Sequence, residues 1–141
     1  MKLQILSDLH LESCAFTLKT HPEADAVVLA GDIAAWPSRA RMENLIKSCP
    51  KPVIYIPGNH EGYKASHDHV WQNGEYLNKK YAWFRDLSHY PHYYADPAHS
   101  DVVIIGCTLW TNFSLPFWSD GRKVQDIGKA QRVAAEGIND F

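Results

Sequence analysis

Cysteine is scarce in these 141 residues: Cys14, Cys49 and Cys107 stand far apart, odd in number and without a Cys-x-x-Cys pair. That excludes a disulfide framework and a zinc knuckle, and a reduced, cytoplasmic setting is expected. No stretch reaches the ~20 consecutive apolar residues of a membrane span. The amino terminus lacks the basic segment and long apolar run of a signal peptide. Charge of one sign is missing as well, since 14 Lys and Arg against 16 Asp and Glu leave −2 with histidine neutral. Such a balance offers no basic footprint for coating nucleic acid. Internal repeats, low-complexity runs and interdomain linkers are absent, and the length fits at most one domain at ~100–200 residues each.

What is present is an ordered set of short polar turns. Asp8-Leu9-His10 follows the apolar run Leu3 to Leu6, Gly31-Asp32 follows Ala26 to Ala30, and Gly58-Asn59-His60-Glu61 follows Val53 to Ile56. Each run is short, rich in branched residues and closed by a turn signal, as expected of a strand buried on both faces. The polar residues should therefore emerge together at the carboxyl ends of neighbouring strands, where open α/β sheets place their ligand sites. Taken singly, Asp8, Asp32 and Gly58-Asn59 read as ordinary turn residues. In order behind three strands they read as a dinuclear metal site.

That ordered triple resembles the amino-terminal half of a calcineurin-like metallophosphoesterase, whose signature runs Asp-x-His, Gly-Asp, Gly-Asn-His-Asp/Glu. The likeness extends from residue 1 to about residue 112, through Val102 to Ile105 and Gly106-Cys107-Thr108-Leu109-Trp110-Thr111. It implies an α/β chain forming part of an αββα sandwich, mostly the first sheet with its flanking helices, as one truncated domain over residues 1–141. It also implies two divalent ions, manganese, iron or zinc, which mixed carboxylate, imidazole and amide ligands suit. Asp8 and His10 would ligate the first, Asp32 would bridge the pair, and Asn59 would ligate the second through its amide oxygen. His60 would be no ligand but the general acid that protonates the leaving oxygen. Two such ions neutralise phosphate charge and activate a shared water, so the implied function is hydrolysis of phosphomonoesters or phosphodiesters by a metal-bridging hydroxide. Nucleic acid enters only as a substrate.

Two later motifs of the family, Gly-His and Gly-His-x-His, have no counterpart, because no histidine follows Trp110. His67, His69, His89, His92 and His99 lack the glycine partner and the preceding apolar run, so they do not replace them. A second class therefore stays open: a non-catalytic remnant or interaction subunit with an incomplete metal site. An unfinished sandwich would expose apolar sheet surface, and a homodimer or a complementary chain is expected to cover it.

Elsewhere the pattern predicts a helix beginning at Pro37-Ser38, with Met42, Leu45 and Ile46 on one face and a stop at Cys49-Pro50. Glu61 to Gly74 reads as a loop over the metal site, with His67-x-His69 a solvated pair and Glu61 and Lys64 exposed charges, Glu61 also a candidate to orient His60. Glu75 to Leu87 reads as an amphipathic helix whose aromatics pack on the sheet. His92 to Ala95 and Val102 to Ile105 read as strands around a turn containing Pro97, and Asp126 to Ile138 as a last helix. Trp110, Thr111 and Asn112 are placed near the substrate cleft or, for Trp110, in packing.

Overall fold

The computed structural model describes residues 1–35, 38–89 and 92–108, together with 117–119, 122–124, 128 and 132. It divides into two compact units, Met1–Thr108 and Leu109–Phe141. In the first, strands β1 (Leu3–Leu6), β2 (Ala26–Ala30), β3 (Val53–Ile56) and β4 (Phe84–Asp86) form a parallel sheet in the order β1-β2-β3-β4. Helix α1 (Arg39–Ser48) connects β2 to β3, and α2 (His67–Lys80) connects β3 to β4. Strands β5 (Tyr93–Asp96) and β6 (His99–Ile105) then form an antiparallel hairpin around Pro97. In the second unit, β7 (Phe117–Ser119) pairs antiparallel with β8 (Arg122–Val124).

Side chains along a strand alternate between faces, and that period sorts the core into two layers. Val27, Leu29, Val53, Tyr55 and Phe84 join Met42, Leu45 and Ile46 of α1 and Leu77 of α2 in one buried cluster. Ala26, Val28, Ile54 and Leu87 pack on the opposite face with Tyr94 and Ile104 of the hairpin. The result is helices, parallel sheet and hairpin in three layers, the partial αββα arrangement expected. Helix α1 has no side-chain bond at its Ser38 cap and no acid in its first turn. Burial of Met42, Leu45 and Ile46, at ~1.5–3 kcal/mol each, is what holds it.

β1 corrects one expectation. It is the sheet edge, and Leu3 and Ile5 are 38% and 64% exposed, so this strand is not buried on both faces. The hairpin is likewise open on its outer side, where Tyr93, Val103 and Ile105 are exposed.

The segment from Glu61 to Leu87 differs most from its sequence reading. It is not a loop followed by a helix. Helix α2 begins at His67, seven residues ahead of Gly74, and ends at Lys80, and Phe84–Asp86 is a strand. Ser66 caps the helix by accepting the His69 N–H, while His69 Nδ1 lies 3.1 Å from Ser66 Oγ and 3.4 Å from Ser66 N. This is a capping box built with histidine where Glu or Gln is usual, so His69 serves a helix end. Gly74 is buried inside α2 because a Cβ there would lie 1.7 Å from Asp86 Oδ2 and 2.8 Å from His89 Nε2.

Glu43 ties α1 to the end of α2, accepting from Lys80 Nζ and from Tyr81 Oη at 2.5 Å. These two donors, Lys80 foremost, hold the Glu43 carboxyl down to about 2. A carboxylate lowered by folding stabilises the protein fully above its unfolded value, and that contribution is lost as pH falls toward the folded one. Lys80 is 40% exposed, so solvent screening keeps this contribution small. Urea unfolding from pH ~4.5 down to ~2 should therefore show a steeper loss of stability in the wild type than in Glu43→Gln; parallel profiles would contradict it.

Trp110, Thr111 and Asn112 lie outside the described residues. So does most of the helix expected over Asp126 to Ile138, of which Gly128 and Arg132 are described, both as helical. Among the described residues no helix is long and apolar enough to cross a membrane.

Candidate metal centre

The turns after β1 and β2 are zipped together by backbone bonds: Asp8 N–H to Gly31 O at 3.1 Å, His10 N–H to Asp32 O at 3.1 Å and Leu11 N–H to Ile33 O at 2.9 Å. Within them Asp8, His10 and Asp32 all adopt left-handed backbone, with φ of 54°, 43° and 55°. Each such residue costs of order 1–3 kcal/mol and persists only where surrounding structure over-determines it, as at ligand sites. Here the strain gathers the three side chains. Donor atoms of Asp8, His10 and Asp32 lie within 4.8 Å of one another.

The turn after β3 closes onto this pair through glycine. Gly31 has φ of 88°, and a Cβ on Gly58 would stand 2.2 Å from Asp32 Oδ1 and 2.7 Å from Asp32 N. Only glycine lets the two backbones approach so closely. His60, opening a short 3-10 turn (His60–Gly62), donates its N–H to Asp32 Oδ1 at 3.0 Å. Asn59 is thereby held between Gly58 and His60, each anchored by a carboxylate of the site.

Glu61 is the largest departure from expectation. It is 4% exposed, not a surface charge. Its Oε1 accepts the N–H groups of Ile33 at 2.6 Å and Ala34 at 3.3 Å, and its Oε2 those of Gly58 at 2.7 Å and Asp32 at 3.1 Å. Burial pushes its carboxyl above the ordinary range, against the pull of the Ile33, Gly58 and Ala34 N–H groups. Glu61 therefore pins the β2 turn to the β3 turn rather than orienting His60. Lys64 is exposed, as read.

Glu12 is the second residue that sequence reasoning missed. Its Oε1 lies 2.8 Å from His60 Nδ1 and 3.3 Å from His10 Nδ1, and its Oε2 accepts the Ala35 N–H at 3.0 Å. Burial works to raise the Glu12 carboxyl, but the Ala35 N–H and the His10 and His60 imidazoles outweigh it and keep the group low. Donor atoms of His10, Glu12 and His60 form a second group within 4.8 Å. The alternation Asp8, His10, Glu12 was the available signal for it.

The other histidines are engaged elsewhere: His21 accepts the Glu23 N–H at Nδ1, His69 is at the α2 cap, His89 lies 3.5 Å from Asp86 and tilted against the Trp71 ring, His92 Nδ1 is 3.0 Å from Leu87 O, and His99 pairs with Asp96 and Asp25. His67 opens α2. Clustered carboxylate and imidazole donors suit divalent ions such as manganese, iron or zinc.

The family model described as calcineurin-like phosphoesterase matches residues 1–129. Neither the curated proteins nor the solved structures give a match.

Proposed function

The chain belongs to the calcineurin-like phosphoesterase family, and from that premise we propose that it hydrolyses phosphomonoesters or phosphodiesters with two divalent ions held by Asp8, His10, Asp32 and Asn59. The observation that carries this reading is the convergence of Asp8, His10 and Asp32 on strained backbone, with the His60 N–H fastened to Asp32. When bound, the ions neutralise phosphate charge and make water nucleophilic near neutral pH. Manganese is the ion we expect to serve.

The protein's own part is placement. Asp8 and His10 stand on one turn and Asp32 on the next, within 4.8 Å of one another, and in this reading Asp32 would be the carboxylate shared between two ions. Because Asp32 Oδ1 holds the His60 backbone, the general acid is tied to the same residue. His60 Nδ1 is turned into Glu12, and Nε2 is therefore the atom from which a proton passes to the leaving oxygen. A cavity of about 590 Å³ lined by Glu12, Phe16, Arg41 and Asn44 falls in the size range of small-molecule sites.

The test compares phenyl phosphate and diphenyl phosphate, whose phenolate leaving group needs a proton, with the manganese-loaded chain and with His60→Ala. Turnover of at least one ester, lowered about 10²–10⁴-fold in the variant, is the expected result. Equal rates in the two proteins would sink the role given to His60.

A further inference from the structure

Glu12 is neither a ligand nor the acid in the proposal above, yet the two site histidines are arranged around it. Nδ1 of His10 and Nδ1 of His60 lie 3.2 Å apart, and Glu12 Oε1 is within 3.3 Å of both. The rings meet at 87° with centroids 4.4 Å apart, so both Nδ1 edges converge on the same point. An ionised carboxylate only accepts, and one oxygen has lone pairs for two donors. Oε1 is thus placed to accept an Nδ1 proton from either imidazole. The other carboxylate oxygen is engaged by the Ala35 N–H at 3.0 Å, which fixes the direction from which Glu12 approaches.

A proton held on Nδ1 decides what Nε2 can do. For His10 it leaves a bare Nε2 for an ion, the carboxylate–histidine–metal arrangement that sets ring orientation and raises ligand basicity. For His60 it turns the Nε2 edge away from Glu12, and the proton given to the leaving oxygen is the second one, which Nε2 carries when the ring is an imidazolium. We propose that Glu12 is a positioning residue shared by both histidines, fixing the Nδ1–H form and ring orientation of the ligand His10 and the acid His60 together. Its consequence for catalysis rests on the phosphoesterase reading.

Imidazole nitrogen NMR on the metal-free chain at pH about 8, where an ordinary imidazole is neutral, reads the tautomers directly. Both rings should show the Nδ1–H form in the wild type, and both should lose that uniform state in Glu12→Ala, with Glu12→Gln retaining part of it. With manganese, Glu12→Gln should lower kcat about 10–100-fold while KM stays nearly unchanged. The loss should be larger for a phenyl ester than for a p-nitrophenyl ester, whose leaving group needs no proton. Glu12→Ala combined with His60→Ala should be slower than His60→Ala alone by no more than the His10 contribution seen in manganese affinity. Unchanged tautomers in Glu12→Ala would overturn the proposal, as would loss of one bound manganese in Glu12→Gln with His60 unaltered, which would make Glu12 a ligand. If the tautomers behave as expected but the wild type hydrolyses no ester, the positioning stands and the phosphoesterase reading falls.

Discussion

Asp32→Asn should lower kcat/KM for a phosphoester by about a thousandfold and weaken manganese binding in parallel. The substitution is chosen because it keeps the shape of the side chain. Asparagine tolerates left-handed backbone much as aspartate does, so the φ of 55° at this position remains accessible. Its amide oxygen can still accept the His60 N–H that Asp32 Oδ1 receives at 3.0 Å. What disappears is the negative charge, and with it the capacity to be shared between two cations. An ion that polarises a phosphoryl oxygen supplies several kcal/mol, and about 4 kcal/mol corresponds to a thousandfold in rate. Asp32→Ala should do the same to activity and also destabilise the fold by about 1 kcal/mol or more, because alanine in that backbone region carries the full strain. Calorimetric manganese titration with steady-state kinetics separates the two effects. A wild-type rate in Asp32→Asn would remove Asp32 from the ligand set.

Glu61→Ala should be the most destabilising single change at the site, by about 3–5 kcal/mol in urea unfolding. Four N–H groups, on Asp32, Ile33, Ala34 and Gly58, lose their acceptor at once. Each buried donor left alone costs about 1–3 kcal/mol. The sum is not reached, because burial of Glu61 is itself unfavourable, as its raised carboxyl shows, and that penalty vanishes with the side chain. Glu61→Gln is expected to rescue little. Its single oxygen can keep one pair of N–H groups, and its amide then points hydrogens at the other pair. An exposed charge at this position would have predicted a change within ±0.5 kcal/mol, so a result that small would show that the pin between the β2 and β3 turns is not needed.

The contrast between Asp32 and Glu61 shows what the sequence could and could not reveal. The strands Leu3–Leu6, Ala26–Ala30 and Val53–Ile56 fall on the expected residues, because each is a local apolar run closed by a turn. The helix burying Met42, Leu45 and Ile46 was legible from its 3.6-residue spacing. Asp8, His10, Asp32, Asn59 and His60 were legible as a local motif. Glu61 was not, since three of its four backbone donors lie 27–29 residues away along the chain. The same holds for α2. Gly74 looks like a helix breaker until the approach of Asp86 and His89 explains it. Phe84–Asp86 looked helical beside the aromatics of Tyr76 and Trp83, yet pairing with β3, Val53 opposite Phe84, makes it a strand. Long-range pairing overrode local pattern there.

The most direct measurement is turnover of bis-p-nitrophenyl phosphate, together with p-nitrophenyl phosphate, as manganese is added stepwise to the metal-free chain. The account predicts a rate that rises with bound manganese, saturates at two equivalents and vanishes on chelation. A folded chain that binds manganese yet turns over neither ester at any ratio would contradict it.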